Sequence, residues 1–294
     1  MRCPRLDHFV RFNPNGTVSR CGHMVNAPQF DTLESMDSSV WLRKVCEKFD
    51  QDLWPNECQR CEQTESINGT SIRLNAIGFD KTQTQSDYLT VGGVLDNVCN
   101  SACLTCNEDH STKIGSLISR QYKIVNNTNR FWDLPQDRIV HLDINGGEPS
   151  ASKNYKQVLA NLPHNVKSVR LNTNCSTVLD ELLPLIDRGI DVTVTVSLDG
   201  IGSVHDFVRW PIKWDTFYKN LMAYKSMPVK LNLWTTLSVL NVNDLPNIIA
   251  FAEEHNIDHS YAYLKQPAEL DIKNLGTPES IAYIQKQKIL RGME

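Results

Sequence analysis

Beyond residue 85 the chain alternates two hydrophobic rhythms. Short apolar, β-prone runs recur at Tyr88–Leu95, Ile139–Ile144, Val169–Asn172, Val192–Ser197, Val229–Thr236 and Tyr261–Leu264. Between them, apolar residues spaced three and four apart predict helices near Ile114–Val125, Asn154–Leu162, Val178–Asp187, Trp214–Lys225 and Asn243–Glu254. Repeated strand–helix units predict an α/β protein with a parallel sheet and helices packed outside it. Six units of this kind point to a partial barrel. In such folds the chemistry collects at the C-terminal ends of the strands.

The first 75 residues follow a different pattern and predict a separate small unit. Phe9-Val10-Arg11-Phe12 and Thr17-Val18-Ser19-Arg20 flank Asn13-Pro14-Asn15-Gly16, which reads as a hairpin. A hairpin brings its ends together, so Cys3 and Cys21 can share one metal site. Ser38 to Phe49 reads as an amphipathic helix. Pro55 breaks the chain before a second pair, Cys58-Gln59-Arg60-Cys61. At the other end, residues 271–294 form an extension. Its helix from Pro278 onward carries Ile281, Ile284 and Ile289 as its apolar residues.

Composition narrows the function classes. The 294 residues are 40% hydrophobic and 22% charged, ordinary values for a globular protein. A net charge of −4 argues against a broad nucleic-acid surface. No run approaches the ~18 apolar residues of a membrane span. The start, Met1-Arg2-Cys3-Pro4, has no apolar signal core. Nine cysteines without such a signal are expected in a reducing, cytoplasmic setting, where they hold metal rather than disulfides.

The densest chemistry lies just after the first predicted strand of the repeating part. Cys99, Cys103 and Cys106 stand at C-x3-C-x2-C spacing. Three thiolates hold three irons of a [4Fe-4S] cube and leave the fourth iron open. Structural zinc asks for four closed ligands, and only His110 lies close enough to be a further candidate. The spacing resembles the fingerprint of the radical S-adenosylmethionine superfamily, with Thr105 standing where an aromatic residue is common. The resemblance implies that the open iron binds the amino and carboxylate groups of S-adenosylmethionine. It also implies that one electron cleaves the sulfonium to give a 5′-deoxyadenosyl radical.

Three later stretches extend the resemblance. Asn145-Gly146-Gly147-Glu148-Pro149 matches the family's Gly-Gly-Glu-Pro motif, which implies cofactor contacts from Gly146, Gly147 and Glu148. Asn172-Thr173-Asn174-Cys175 is similar to a Thr-Asn-Gly string on the ribose side, with Cys175 in the glycine's place. Ser197-Leu198-Asp199-Gly200, followed by His205-Asp206 and Arg209, is similar to a third family string. It implies Ser197, Asp199 and Arg209 as cofactor or substrate contacts, while His205 and Asp206 are read as caps of the next helix. Thr235, Thr236, Ser238 and Asn241 are of common polar types that specify little. Cys3, Gly16 and Cys21, then Cys58 and Cys61, resemble the twitch or SPASM type of auxiliary-cluster domain, here placed before the barrel. The four thiolates imply a second [4Fe-4S] cluster; chemically they also suit a closed zinc site.

The resemblance implies a partial (β/α)6 TIM-like barrel over residues 85–270, with a small N-terminal Cys-rich auxiliary iron–sulfur (twitch-like) domain over 1–75. It implies an enzyme that cleaves S-adenosylmethionine and takes a hydrogen atom from a peptide or protein side chain. An electron donor such as flavodoxin or ferredoxin would feed it. Modification of a nucleotide, cofactor precursor or other small molecule stays open, as does a non-catalytic iron–sulfur or zinc protein.

Overall fold

The computed structural model describes residues 2–118 and 122–293. Eight strands form one sheet: β1 (Phe9–Phe12), β2 (Val18–Ser19), β3 (Leu89–Val94), β4 (Ile139–Asn145), β5 (Ser168–Thr173), β6 (Asp191–Ser197), β7 (Lys230–Leu237) and β8 (Asp258–Tyr263). Their spatial order is β2-β1-β3-β4-β5-β6-β7-β8. Every neighbouring pair from β1 to β8 is parallel, and β2 alone runs antiparallel.

Strand alternation separates the sheet into two unlike faces. Val91, Leu142, Val169, Leu171, Val192, Val194 and Leu233 point to one face and are buried there. Against them pack Val158 and Leu159 of the helix Lys153–Ala160, Leu182 and Leu185 of Leu182–Asp187, Phe217 and Leu221 of Trp214–Lys225, and Ile248 of Leu245–Glu254. The opposite face is polar. In register across it lie Asp143, Arg170, Thr193 and Lys230. Fully buried parallel strands read as continuous apolar runs. Polar residues at every second position therefore mark a face that the helices leave uncovered.

The N-terminal hairpin forms as the sequence predicts, with Arg11 opposite Ser19 and Phe12 opposite Val18. Its first strand then pairs in parallel with β3, which the sequence reading does not anticipate. Two glycines of β3 allow this approach. A Cβ on Gly93, whose φ is 89°, would collide with the Phe12 carbonyl oxygen, and one on Gly92 would stand 2.7 Å from the Phe9 ring. Residues of this N-terminal segment enter two cores. Val10, Phe12, Val18 and Met36 join the main one, while Cys3, Leu6, Leu42, Val45 and Phe49 form a small cluster of their own.

Two helix boundaries depart from expectation for local reasons. The helix expected over Ile114–Val125 is Thr112–Ile118 among the described residues, and its predicted positions 119–121 lie outside them. It does not reach Val125, whose N–H donates to Asn97 Oδ1 at 2.9 Å, and the Asn127 N–H donates to the Leu95 carbonyl. The helix expected from Val178 starts at Leu182, because the Leu179 N–H donates to the Tyr224 hydroxyl at 2.9 Å. The last helix is Pro278–Leu290, but Ile281 and Ile289 are exposed rather than apolar anchors. Among the described residues no helix is long and apolar enough to cross a membrane.

Candidate active site

The three-cysteine loop leaves the C-terminal end of β3, and backbone and side chains from four directions hold it. Asp96, fully buried, accepts from the Val98 N–H at 3.0 Å, from Ser152 Oγ at 2.5 Å and from Asn154 Nδ2 at 2.8 Å. The Ala102 and Leu104 N–H groups donate to the carbonyls of Trp210 and Val208, at 2.8 and 2.9 Å. Ser111 Oγ donates to the Ser101 carbonyl, and Asn174 Nδ2 donates to Ser101 Oγ, both at 2.6 Å. Buried loop backbone is thus satisfied by fixed partners, which removes the conformational freedom that loops usually keep.

The three sulfurs lie close enough to feel one another. Burial, then the charge of Cys103, pushes the Cys99 thiol up to about 11. Burial, then the charges of Cys103 and Cys99, pushes Cys106 up to about 12. Burial also raises Cys103. Three thiols in one low-dielectric spot stay protonated unless a cation compensates their charge, as metal binding does.

The Gly146-Gly147-Glu148 turn follows β4 and meets this loop. The Glu148 N–H donates to the Val98 carbonyl at 2.7 Å. A Cβ on Gly147, at φ 61°, would stand 2.8 Å from both the Asp96 and Val98 carbonyl oxygens, so only glycine fits the approach. The Glu148 carboxylate is buried and engaged within the protein. Oε1 accepts from the Ser150 N–H at 3.1 Å and from the Ser150 and Thr173 hydroxyls at 2.8 Å, while Oε2 accepts from the Asn174 N–H at 2.6 Å. Burial nevertheless raises its pKa. Glu148 therefore ties the turn to the end of β5. Beside it Asn172 Nδ2 donates to Asn145 Oδ1 at 2.9 Å, and Asn172 Oδ1 is buried without a partner among the described residues.

Asp199 is buried and ion-paired to Arg209 Nη1 at 2.9 Å, and it also accepts from the Thr236 N–H at 2.7 Å. Burial draws the Arg209 pKa down, but the charges of Cys103, Asp199 and Cys99 outweigh it and leave it raised. Among the described residues Arg209 Nε has no partner. Ser197, at the end of β6, makes no side-chain bond there among the described residues. Thr235, Ser238 and Asn241 serve the backbone: Thr235 Oγ1 donates to the Leu198 carbonyl, and Asn241 Oδ1 accepts from the Ser238 N–H.

Cys175 lies wholly buried in the main core with φ 61°, the left-handed conformation for which a glycine is better suited. Asp206 receives the Trp214 N–H at 2.6 Å, at the start of the next helix. His205 is no cap; it is buried beside Trp214 and Phe217, and among the described residues neither ring nitrogen has a partner. Burial, then Arg209, lowers its pKa from 6.5 to about 3. The unfolded chain takes up this proton below about 6.5 and the folded chain does not. The contribution is full above pH 6.5 and is lost as pH falls toward 3. Urea melts of metal-free protein should show that His205→Phe removes about 2 kcal/mol of the stability lost between pH 7 and pH 5. An equal loss in both proteins would contradict this.

The second cysteine set sits at the opposite end of the sheet. Cys3 precedes β1 and Cys21 follows β2, whereas the three-cysteine loop follows β3, which is parallel to β1. A strand of this length spans roughly 20 Å. Cys3, Cys21, Cys58 and Cys61 line one small cavity together with Met24, Trp54 and His23. His23 escapes the sequence reading, although its place two residues after Cys21 is the signal for it. Burial pushes Cys3 and Cys58 up to about 12 and lowers His23 to about 4. Among the described residues no three His, Cys, Asp or Glu side chains stand as ligands of a single ion. Ligands of an iron–sulfur cube each take a different iron, so they spread more widely than the ligands of one ion.

On the polar face, toward the N-terminal ends of the strands, lies a cleft of about 520 Å³, floored by His141, Asp143, Arg170, Thr193 and Lys230. The helix Ile72–Asp80 covers its lower part through Ile72 and Phe79, and Arg5 lines both this cleft and the cysteine cavity.

The fold and site define an α/β protein with a largely parallel sheet, one polar face and a cysteine loop at a strand end. No family model matches the chain, and no curated protein matches it. Among solved structures it is similar to anSMEcpe with bound AdoMet, at 14% identity and TM-score 0.46, over 61% of this chain and 51% of that one. The chain thus spans about half the length of that protein. It is also similar to Streptococcus suis SuiB bound to precursor peptide SuiA, at 14% identity and TM-score 0.48, over 98% and 70%. SuiB bound to S-adenosylmethionine gives 15% identity and TM-score 0.48, over 96% and 70%.

Proposed function

We propose that the chain is a radical S-adenosylmethionine enzyme acting on a peptide or protein side chain, with the partial barrel and N-terminal auxiliary domain that this implies. The observation that carries the reading is the meeting of Cys99, Cys103 and Cys106 with the Gly146–Glu148 turn and the end of β5. The residues fit the groups they would hold. Three thiols kept protonated by burial and by one another's charge lose their protons to a cationic cluster, the Gly147 turn admits no side chain, and among the described residues Asn172 Oδ1 and Arg209 Nε are buried polar atoms without partners. Cys99, Cys103 and Cys106 would hold a [4Fe-4S] cluster, and Gly146, Gly147, Glu148, Asn172, Thr173, Ser197, Asp199 and Arg209 would surround S-adenosylmethionine. Bound there, the pair supplies one-electron cleavage of a sulfonium and abstraction of a hydrogen atom.

The chain's own residues do the rest. Arg209, held by Asp199, places a fixed cation beside the sulfurs. Glu148 holds the turn in place. Anaerobic reconstitution followed by assay for 5′-deoxyadenosine tests the reading; no product under any reductant would favour a binding protein instead.

The N-terminal set belongs to the same proposal, as a second [4Fe-4S] cluster on Cys3, Cys21, Cys58 and Cys61. Reconstituted wild type should hold about eight irons in two cubes. Cys58→Ala/Cys61→Ala should lose half of them and stay brown. Tightly bound zinc with about four irons would remove the auxiliary cluster and leave the radical chemistry standing.

A further inference from the structure

We infer that Arg291 is a positioning residue of the three-cysteine loop, through which the C-terminal helix pins the loop and sets the charge around its sulfurs; the charge half of this rests on the enzyme reading above. Arg291 closes the helix Pro278–Leu290 and lies 189 positions from its main partner. Its side chain is 5% exposed, which is rare for a cation and calls for fixed partners. Nε donates to the Ala102 carbonyl at 2.6 Å, and Nη2 donates to the Cys103 carbonyl at 3.3 Å. Nη1 donates to the Gln287 carbonyl at 3.2 Å and to Gln287 Oε1 at 2.5 Å, so the guanidinium is fixed on the helix side as well.

These two loop carbonyls flank the peptide that places Cys103. The amides of Ala102 and Leu104 are held from the other side by Trp210 and Val208. The strip from Ala102 to Leu104 is therefore gripped on both edges: by the 208–210 backbone on one and by Arg291 on the other. The planar guanidinium holds its donors to two adjacent carbonyls in one fixed geometry, whereas a lysine ammonium is a mobile point charge on a flexible stem. Beside the contact a cavity of about 350 Å³ separates helix from loop, lined by Thr105, Cys106, Tyr283 and Gln287. Ile281 and Ile289 of this helix are exposed and make no contribution to holding the loop. The charge of Arg291 also bears on Cys103 and Cys106. A cation there favours the more negative redox state of whatever those sulfurs bind.

The test compares the full-length wild type with Arg291→Ala, Arg291→Gln and Arg291→Lys. In metal-free protein, exchange of the Ala102 and Leu104 amides should run about tenfold faster in Arg291→Ala, while β5 and β6 amides stay protected. If β5 and β6 lose protection too, Arg291→Lys decides by the same two amides. Wild-type exchange at both amides in a folded variant overturns the proposal. In reconstituted protein, the potential of the loop cluster should move negative in Arg291→Gln and return toward wild type in Arg291→Lys. A role in packing alone would leave it unmoved, and an unmoved potential overturns the charge half. If the variant lacking Cys99, Cys103 and Cys106 holds as much iron as wild type, the enzyme reading fails; the exchange rates in metal-free protein still decide the clamp.

Discussion

Replacing Cys99, Cys103 and Cys106 together with alanine should abolish 5′-deoxyadenosine formation while the N-terminal set keeps its iron. The two sets stand at opposite ends of a strand spanning roughly 20 Å, so neither can reach the other's groups. Under the proposed function only the loop set leaves an iron open, because the N-terminal set fills every place with a thiolate. The fold should persist. The loop is held by backbone bonds from Ala102 and Leu104 that alanine at the three cysteine positions does not remove. The main core lies on the other face of the sheet, under its helices. Circular dichroism checks the fold, and chromatography after dithionite reduction checks the product. Product at the wild-type rate would mean that the roles of the two sets are reversed.

Glu148→Ala should have the second-largest effect, and through structure before chemistry. Its carboxylate receives the Ser150, Thr173 and Asn174 donors in a site closed to water. Leaving buried donors unmet costs roughly 1–3 kcal/mol each, so a stability loss on the order of 3–5 kcal/mol is expected. Release of the turn also frees Gly146 and Gly147 from their place beside the cysteine loop. S-adenosylmethionine should then bind at least about tenfold more weakly while the iron content is kept. Glu148→Gln separates the two causes. It keeps the volume but sets an amide donor against the Asn174 N–H, so it should also destabilise. If both variants melt like wild type yet bind the cofactor weakly, the carboxylate acts on the cofactor directly. If neither changes stability or binding, Glu148 leaves the site.

Much of the fold was legible in the chain itself. Strand and helix rhythms place six of the sheet's strands within a few residues, and the Trp214–Lys225 helix at its observed ends. Hairpin chemistry around Asn13–Gly16 gives β1 and β2. These features are local: they depend on side-chain period and turn residues, which a sequence carries directly. The polar face was legible too, in alternations such as His141-Leu142-Asp143-Ile144-Asn145, although the sequence reading passed over it. The motif cysteines and the Gly-Gly-Glu turn are equally local in spacing, so their residue types announce a candidate site.

What the tertiary structure alone decided is where distant groups meet. The pairing of β1 with β3 depends on two glycines and a register that no local pattern encodes. The commitment of Glu148 to β5, the pairing of Asp199 with Arg209 and the burial of His205 depend on contacts between separate strand ends. Arg291 is the extreme case: as sequence it is one basic residue near a helix end, and only folding brings its guanidinium to Ala102 and Cys103. A local pattern reports the faces of an element, because side-chain direction is set by the backbone's own period. It does not report which faces are brought together, because that is set by packing among elements far apart in the chain.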